Sequence, residues 1–185
     1  MSYPWKIDKS WTLFLDRDGV INDEKYLDYI YSWEEFSFYE GVKEALQIAN
    51  KYFGPIVMVT NQRGVGKGLM TEAALRAIHS KMLAEIAGAG GRIDHIYYCP
   101  SIDNKHPDRK PNPGMAFKAQ QDNPLIRFDQ SVIVGNNLSD MQFGRNTGMR
   151  SVLLTTTSPG VSLPHPLVDD QFPSLIDFIR AITKN

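Results

Sequence analysis

Short apolar runs alternate along this chain with longer stretches in which apolar residues recur at helical spacing. The runs at 11–15, 56–59, 93–98, 131–134 and 151–154 predict five strands, and the periodic stretches at 42–53, 71–87, 115–121 and 138–146 predict helices between them. Val42, Ala45, Leu46 and Ala49 fall on one face of the first helix, and Gly54-Pro55 ends it. Thr71 is the expected N-cap of the second, which Gly88, Gly90 and Gly91 stop. A loose Thr/Ser/Pro segment, 155–166, precedes a closing helix from about Ser174. Strands alternating with helices predict an α/β fold, a three-layer Rossmann-like sandwich with a central, mostly parallel sheet. In such sheets ligands sit beyond the carboxyl ends of the strands, so the residues just after each strand are the candidates for chemistry.

Composition narrows the functional classes. The chain has 185 residues, which suits one domain spanning 1–185, with 42% apolar residues and a formal net charge of -1. Lys and Arg number 20 against 21 Asp and Glu, so no global basic field favours nucleic acid. The apolar runs are too short to span a bilayer and the first residues lack a signal-like apolar core, so a cytoplasmic location is expected. Cys99 is the single cysteine, which excludes an intramolecular disulfide.

Each predicted strand tip carries polar chemistry. After the first comes Asp16-Arg17-Asp18-Gly19-Val20-Ile21-Asn22. Two carboxylates at the end of an apolar strand are costly if buried and unpaired, and Mg²⁺ relieves that cost because it takes one or two carboxylates together with water and phosphate. An Asp/Gly turn with solvated carboxylates explains this fragment equally well. After the second strand, Thr60-Asn61-Gln62-Arg63 leads into the glycine-rich Gly64–Gly68, which offers a hydroxyl and free N–H groups to phosphate oxygens. Gly68 follows Lys67 where a Walker loop has Ser or Thr. After the third strand a Pro-rich loop, 100–113, carries Arg109-Lys110-Pro111, adjacent cations able to bind phosphate. After the fourth, Gly135-Asn136-Asn137-Leu138-Ser139-Asp140 places Asn136 where a metal-binding carboxylate is expected, with Asp140 one helical turn on. Each signal alone is modest; their order on successive tips is specific.

Taken together, these segments resemble the four motifs of the haloacid dehalogenase superfamily of Mg²⁺-dependent phosphotransferases, over most of the chain. A closer likeness, carried by Phe14–Asn22, Val59–Gly68 and Arg109–Gly114, is to the heptose-1,7-bisphosphate 7-phosphatases and the related histidinol-phosphatases. The resemblance implies a phosphomonoesterase in which Asp16 forms an aspartyl-phosphate and Asp18 serves as acid and then base. It further implies that Thr60 and Asn61 hold phosphate oxygens, that Lys110 balances charge, and that Arg63 and Arg109 meet the distal part of the substrate. The resemblance also implies that Mg²⁺ is held by Asp16, Asp18 and Asn136, with Asp140 as a further candidate ligand. A small phosphorylated metabolite is the expected partner, with neither nucleic acid nor membrane. The length leaves no room for a large cap domain, so only the aromatic-rich stretch at about 22–40 is available as a flap; packing against the sheet edge accounts for its aromatics equally well.

Two departures from the family pattern matter. Relatives of this kind often bind zinc through one His and three Cys before the Arg-Lys-Pro motif, but here Ser101, His106 and Asp108 stand beside the lone Cys99. No structural zinc is expected, and Cys99 is expected to be a partly buried free thiol. Asn136 replaces an Asp, so it offers Mg²⁺ a neutral oxygen rather than a charge. The competing readings are a histidinol-phosphate phosphatase, a polynucleotide 3′-phosphatase and a degenerate module that binds phosphate without turning it over. The intact set Asp16, Asp18, Thr60 and Lys110 favours an active enzyme.

Overall fold

The apolar runs that alternate with helices pair side by side in a computed structural model, which describes residues 3–157 and 159–183. Six strands form one sheet: β1 (Thr12–Leu15), β2 (Ile56–Asn61), β3 (His95–Cys99), β4 (Ser131–Gly135), β5 (Arg150–Leu154) and β6 (Asp170–Phe172). Their order across the sheet is β3-β2-β1-β4-β5-β6, and all five pairings are parallel. The expected "mostly parallel" sheet is therefore parallel throughout. β1 lies between β2 and β4, with Leu15 opposite Met58 on one side and Val134 on the other.

Burial on both faces explains why these strands read as continuous apolar runs. Leu13 and Leu15 of β1 point into a core shared with Met58, Val134, α1 (Val42–Tyr52) and α6 (Leu175–Thr183). Phe14, between them, points to the other face, where Val57, Val59 and Ile133 meet α4 (Gly114–Asp122) and Phe143 of α5 (Leu138–Thr147). α3 (Glu72–Gly88) joins the first face through Met82 and Ile86. Its N-cap is Thr71, whose Oγ1 accepts the Ala74 N–H at 3.1 Å.

Three local features differ from the sequence expectation. β6 was not anticipated, because a three-residue edge strand with one apolar residue gives no periodic signal. The Arg63–Gly68 loop contains a single helical turn, α2 (Arg63–Gly66). The third strand begins at His95 rather than at 93. Among the described residues no helix is long and apolar enough to cross a membrane.

Candidate active site

Because the strands are parallel, the ends of β1, β2, β3 and β4 open on the same edge of the sheet, and a cavity of about 290 Å³ lies there. All nine residues singled out in the sequence line it: Asp16, Asp18, Thr60, Asn61, Arg63, Arg109, Lys110, Asn136 and Asp140. The structure thus brings together four segments spread over 125 positions of chain, 16 to 140.

The floor is a chain of charges. Lys110 Nζ, on a side chain only 1% exposed, lies 3.0 Å from Asp16 Oδ1 and 2.6 Å from Asp140 Oδ1. An ammonium buried this deeply loses its hydration, and burial alone would lower its pKa; the two carboxylates outweigh this and raise it. Asp16 is pushed up from the ordinary carboxyl range, first by burial and then by the charges of Asp140 and Asp18, with Lys110 pulling the other way. Its Oδ1 also accepts the Arg17 N–H at 2.7 Å. The second Asp140 oxygen accepts the Asn137 N–H at 3.1 Å at the start of α5, one half of a capping box with the N-cap Asn137, so both of its oxygens are engaged. Lys110 itself is fixed from its backbone: its N–H donates to Asn61 Oδ1 at 3.0 Å, and Asn61 Nδ2 donates to its carbonyl at 3.1 Å.

Asp18 sits in a separate network that the sequence reading passed over. The Arg17 guanidinium, 1% exposed, donates to both Asp18 oxygens, with Nη2 at 2.8 and 3.1 Å. Asn22 Nδ2 donates to Oδ1 at 2.9 Å and Gln62 Nε2 to Oδ2 at 3.0 Å. Burial would raise this carboxyl, but Arg17 and these donors hold it below the usual range. Behind Arg17, His79 Nε2 lies 3.3 Å from Nη1. Burial and the facing guanidinium push His79 down to about 3, so the imidazole is neutral and accepts. His79 is thus a buried, neutral support for the Arg17 guanidinium. Gln62 Nε2 also donates to Thr60 Oγ1 at 2.9 Å, aligning the hydroxyl at the β2 tip. Arg17, Asn22 and Gln62 lie inside the quoted motifs; their partners could not be read because they lie across the site.

Asn136 is held close to the backbone of Gly19. A Cβ at Gly19 would fall 2.0 Å from Asn136 Nδ2, and Gly19 has φ +82°, so glycine is needed there on both counts. Asn136 Nδ2 donates to Glu24 Oε2 at 2.8 Å and to Thr157 Oγ1 at 2.7 Å. Glu24, another lining residue the sequence reading missed, ties the 22–40 stretch to the β4 tip.

Among the described residues no three His, Cys, Asp or Glu side chains form a ready metal-holding group, and Lys110 stands between Asp16 and Asp140. Two oxygens are nevertheless suited to a hard cation. Asp16 Oδ2 and Asn136 Oδ1 receive no hydrogen bond among the described residues and belong to the tips of the adjacent strands β1 and β4. That donor set fits Mg²⁺, which takes few protein oxygens and keeps water.

The rim is of two kinds. From the 22–40 stretch, Lys25, Asp28, Tyr29 and Ile30 line the cavity, while Trp33, Phe36 and Phe38 pack on the core. Tyr26 and Leu27 are 89% and 88% exposed at its tip. Across the cavity, the 100–113 loop carries Cys99 at its base, fully buried rather than partly so, with Sγ 3.7 Å from His106 Nδ1. His106 Nδ1 accepts the Asp108 N–H at 3.2 Å, and Asp108 pairs with Lys118, so this side of the loop faces the protein.

Comparison with known proteins agrees with this geometry. A family model described as HAD-hydrolase-like matches residues 108–173. The chain is 34% identical over 173 residues to the D-glycero-alpha-D-manno-heptose-1,7-bisphosphate 7-phosphatase of Mycobacterium bovis, covering 93% of this chain and 91% of that protein. It is also 34% identical over 186 residues to the corresponding beta-heptose bisphosphate 7-phosphatase of Escherichia coli, covering 93% of each. The solved D,D-heptose 1,7-bisphosphate phosphatase of B. bronchiseptica, complexed with magnesium and phosphate, superposes with a TM-score of 0.81 at 27% identity over 92% of this chain and 96% of that one. With its strand-tip aspartates, buried lysine and six-stranded parallel sheet, the chain belongs to the haloacid-dehalogenase-like hydrolases, among relatives named as heptose-bisphosphate phosphatases.

Proposed function

We propose that the chain is a Mg²⁺-dependent phosphomonoesterase that removes the 7-phosphate of heptose 1,7-bisphosphate through an aspartyl-phosphate on Asp16. The observation that carries this reading is the Asp16 carboxylate at the tip of β1: one oxygen is held by the Arg17 N–H and Lys110, and the other has no donor among the described residues. A carboxylate so fixed is oriented to attack phosphorus, forming the Asp16–phosphorus bond as the bond from phosphorus to the sugar oxygen breaks. Asp18 gives a proton to the departing alkoxide. It then takes one from the water that hydrolyses the aspartyl-phosphate, returning Asp16 and releasing phosphate. Its network with Arg17, Asn22 and Gln62 favours the ionised state needed for the second step, and the charge of a bound phosphate raises its proton affinity for the first.

Thr60 and Asn61 hold phosphoryl oxygens, and Lys110 offsets the charge they carry. Asp16, the Asp18 backbone carbonyl and Asn136 would hold Mg²⁺, which would supply further positive charge to offset that of the phosphoryl group. Asp140, with both oxygens engaged, acts as the counter-ion that keeps Lys110 charged and in place. Arg63 and Arg109 receive the distal phosphate, and the stretch at 22–40 forms a fixed flap at the mouth of an otherwise open site within a single domain. A small, doubly phosphorylated cytoplasmic sugar suits this mouth.

The test is phosphate release from heptose 1,7-bisphosphate, histidinol phosphate and a 3′-phosphorylated oligonucleotide, each with Mg²⁺ and with chelator. The bisphosphate is expected to give the highest kcat/KM, lost on chelation. A higher kcat/KM with either other substrate would overturn the substrate assignment.

A further inference from the structure

Arg63 and Arg109 reach the cavity from different elements, α2 and the 100–113 loop, yet they converge on one atom. Asn104 Oδ1 accepts from Arg63 Nη2 at 2.7 Å and from Arg109 Nε at 3.2 Å. The remaining contacts of both guanidiniums are to neutral backbone oxygens, Ile102 O at 3.3 Å and Ser101 O at 3.2 Å. Neither arginine forms an ion pair among the described residues, and Arg63 Nε is buried without a hydrogen-bond partner. Asn104 is tethered in turn: its carbonyl accepts from Asn112 Nδ2 at 3.1 Å, and the same amide holds the His106 carbonyl at 2.9 Å.

Two like charges brought together at a cavity wall repel unless something between them accepts hydrogen bonds. A carboxylate there would cancel the field that attracts an anion, whereas an amide oxygen aligns both donors and leaves the full charge. We propose that Asn104 is a positioning residue that clamps Arg63 and Arg109 into one divalent-anion subsite, and so sets the preference for a doubly phosphorylated substrate over a singly phosphorylated one. This rests on the reading of the two arginines as the distal phosphate site.

The test compares kcat/KM for heptose 1,7-bisphosphate and heptose 7-phosphate in wild type, Asn104→Ala, Asn104→Asp and Arg109→Ala. Asn104 is exposed, so its variants are expected to keep the wild-type melting temperature. Asn104→Ala should raise KM for the bisphosphate about tenfold with kcat unchanged, while kcat/KM for the monophosphate moves less than about twofold. Asn104→Asp should lose more of the preference than Asn104→Ala, because its carboxylate occupies the anion's place. An unchanged preference in Asn104→Ala, or an equal fall for both substrates, would overturn the proposal while leaving the arginine site standing if Arg109→Ala still abolishes the preference. If wild type and Arg109→Ala alike show no preference, the distal-phosphate reading itself fails and takes Asn104 with it.

Discussion

The floor and the rim of the cavity are built on opposite principles. On the floor, Asp16 and Asp18 at the end of β1, Lys110 from the 100–113 loop and Asp140 in the first turn of α5 are bound to charged partners, with Lys110 and Asp140 1% exposed. Removing one partner there leaves a buried charge uncompensated. On the rim, Arg63, Arg109, Asn104 and Glu24 are held by hydrogen bonds between exposed or half-exposed loops, where each bond exchanges readily with water. Rigid elements give a site its precision, and loops on a rigid scaffold give it selectivity. The contrast assigns the chemistry to the floor and the choice of substrate to the rim.

The severest way to break that contrast is Lys110→Met. It removes the cation between Asp16 and Asp140, and phosphate release is expected to fall by two orders of magnitude or more. Stability should also fall by about 3 kcal/mol in denaturant unfolding at pH 7, because two buried carboxylates lose their partner. A variant as stable and as active as wild type would show that the floor does not depend on its ion pairs.

Asn136→Asp restores a carboxylate at the β4 tip. Direct Mn²⁺ titration followed by electron paramagnetic resonance should show tighter binding, by about tenfold. The new side chain also gives up the amide donor to Glu24 and Thr157, so the same variant reports how far the flap depends on that tether. Unchanged metal affinity would remove Asn136 from the proposed ligand set.

A smaller effect separates His79 from its neighbours. Its folded pKa, about 3, lies below its unfolded value, so the unfolded chain takes up a proton first as pH falls. The stability associated with neutral His79 is therefore fully present above about pH 6.5 and is lost progressively below it. Replacing His79 with Gln removes that dependence, and the fall in unfolding free energy between pH 7 and pH 5 should shrink by about 2 kcal/mol. Identical pH profiles would show that the imidazole is not kept neutral behind Arg17. Least affected should be Tyr26→Ala at the exposed tip of the 22–40 stretch, with stability within about 0.5 kcal/mol of wild type.

The floor was legible in the sequence and the rim was only partly so, for the same physical reason. A carboxylate, hydroxyl, lysine or amide at the end of an apolar run is conspicuous because the strand itself is conspicuous. Parallel topology then carries all the tips to one edge, and so Asp16, Thr60 and Asn136 could be grouped without coordinates, with Lys110 added from the loop that follows β3. Glu24 and Asn104 sit in irregular segments with no periodicity to place them. Their partners, Asn136 and Arg63, lie 112 and 41 positions away. Arg17 was visible within its motif, but its pairing with His79 joins residues 62 apart and depends on how α3 packs. β6 escaped notice because three half-buried residues, Asp170-Gln171-Phe172, leave no repeat to detect.

The central claim, that Asp16 is the nucleophile and Asp18 the proton carrier, is tested most directly by mass spectrometry of acid-quenched enzyme turning over p-nitrophenyl phosphate. This leaving group needs little help from an acid, so Asp18→Asn should still be phosphorylated but hydrolyse slowly. The account predicts the added mass of one phosphoryl group on the peptide carrying Asp16 in Asp18→Asn, and none in Asp16→Asn, which should release no phosphate. Continued turnover by Asp16→Asn, or a phosphoryl group on any other residue, would contradict it.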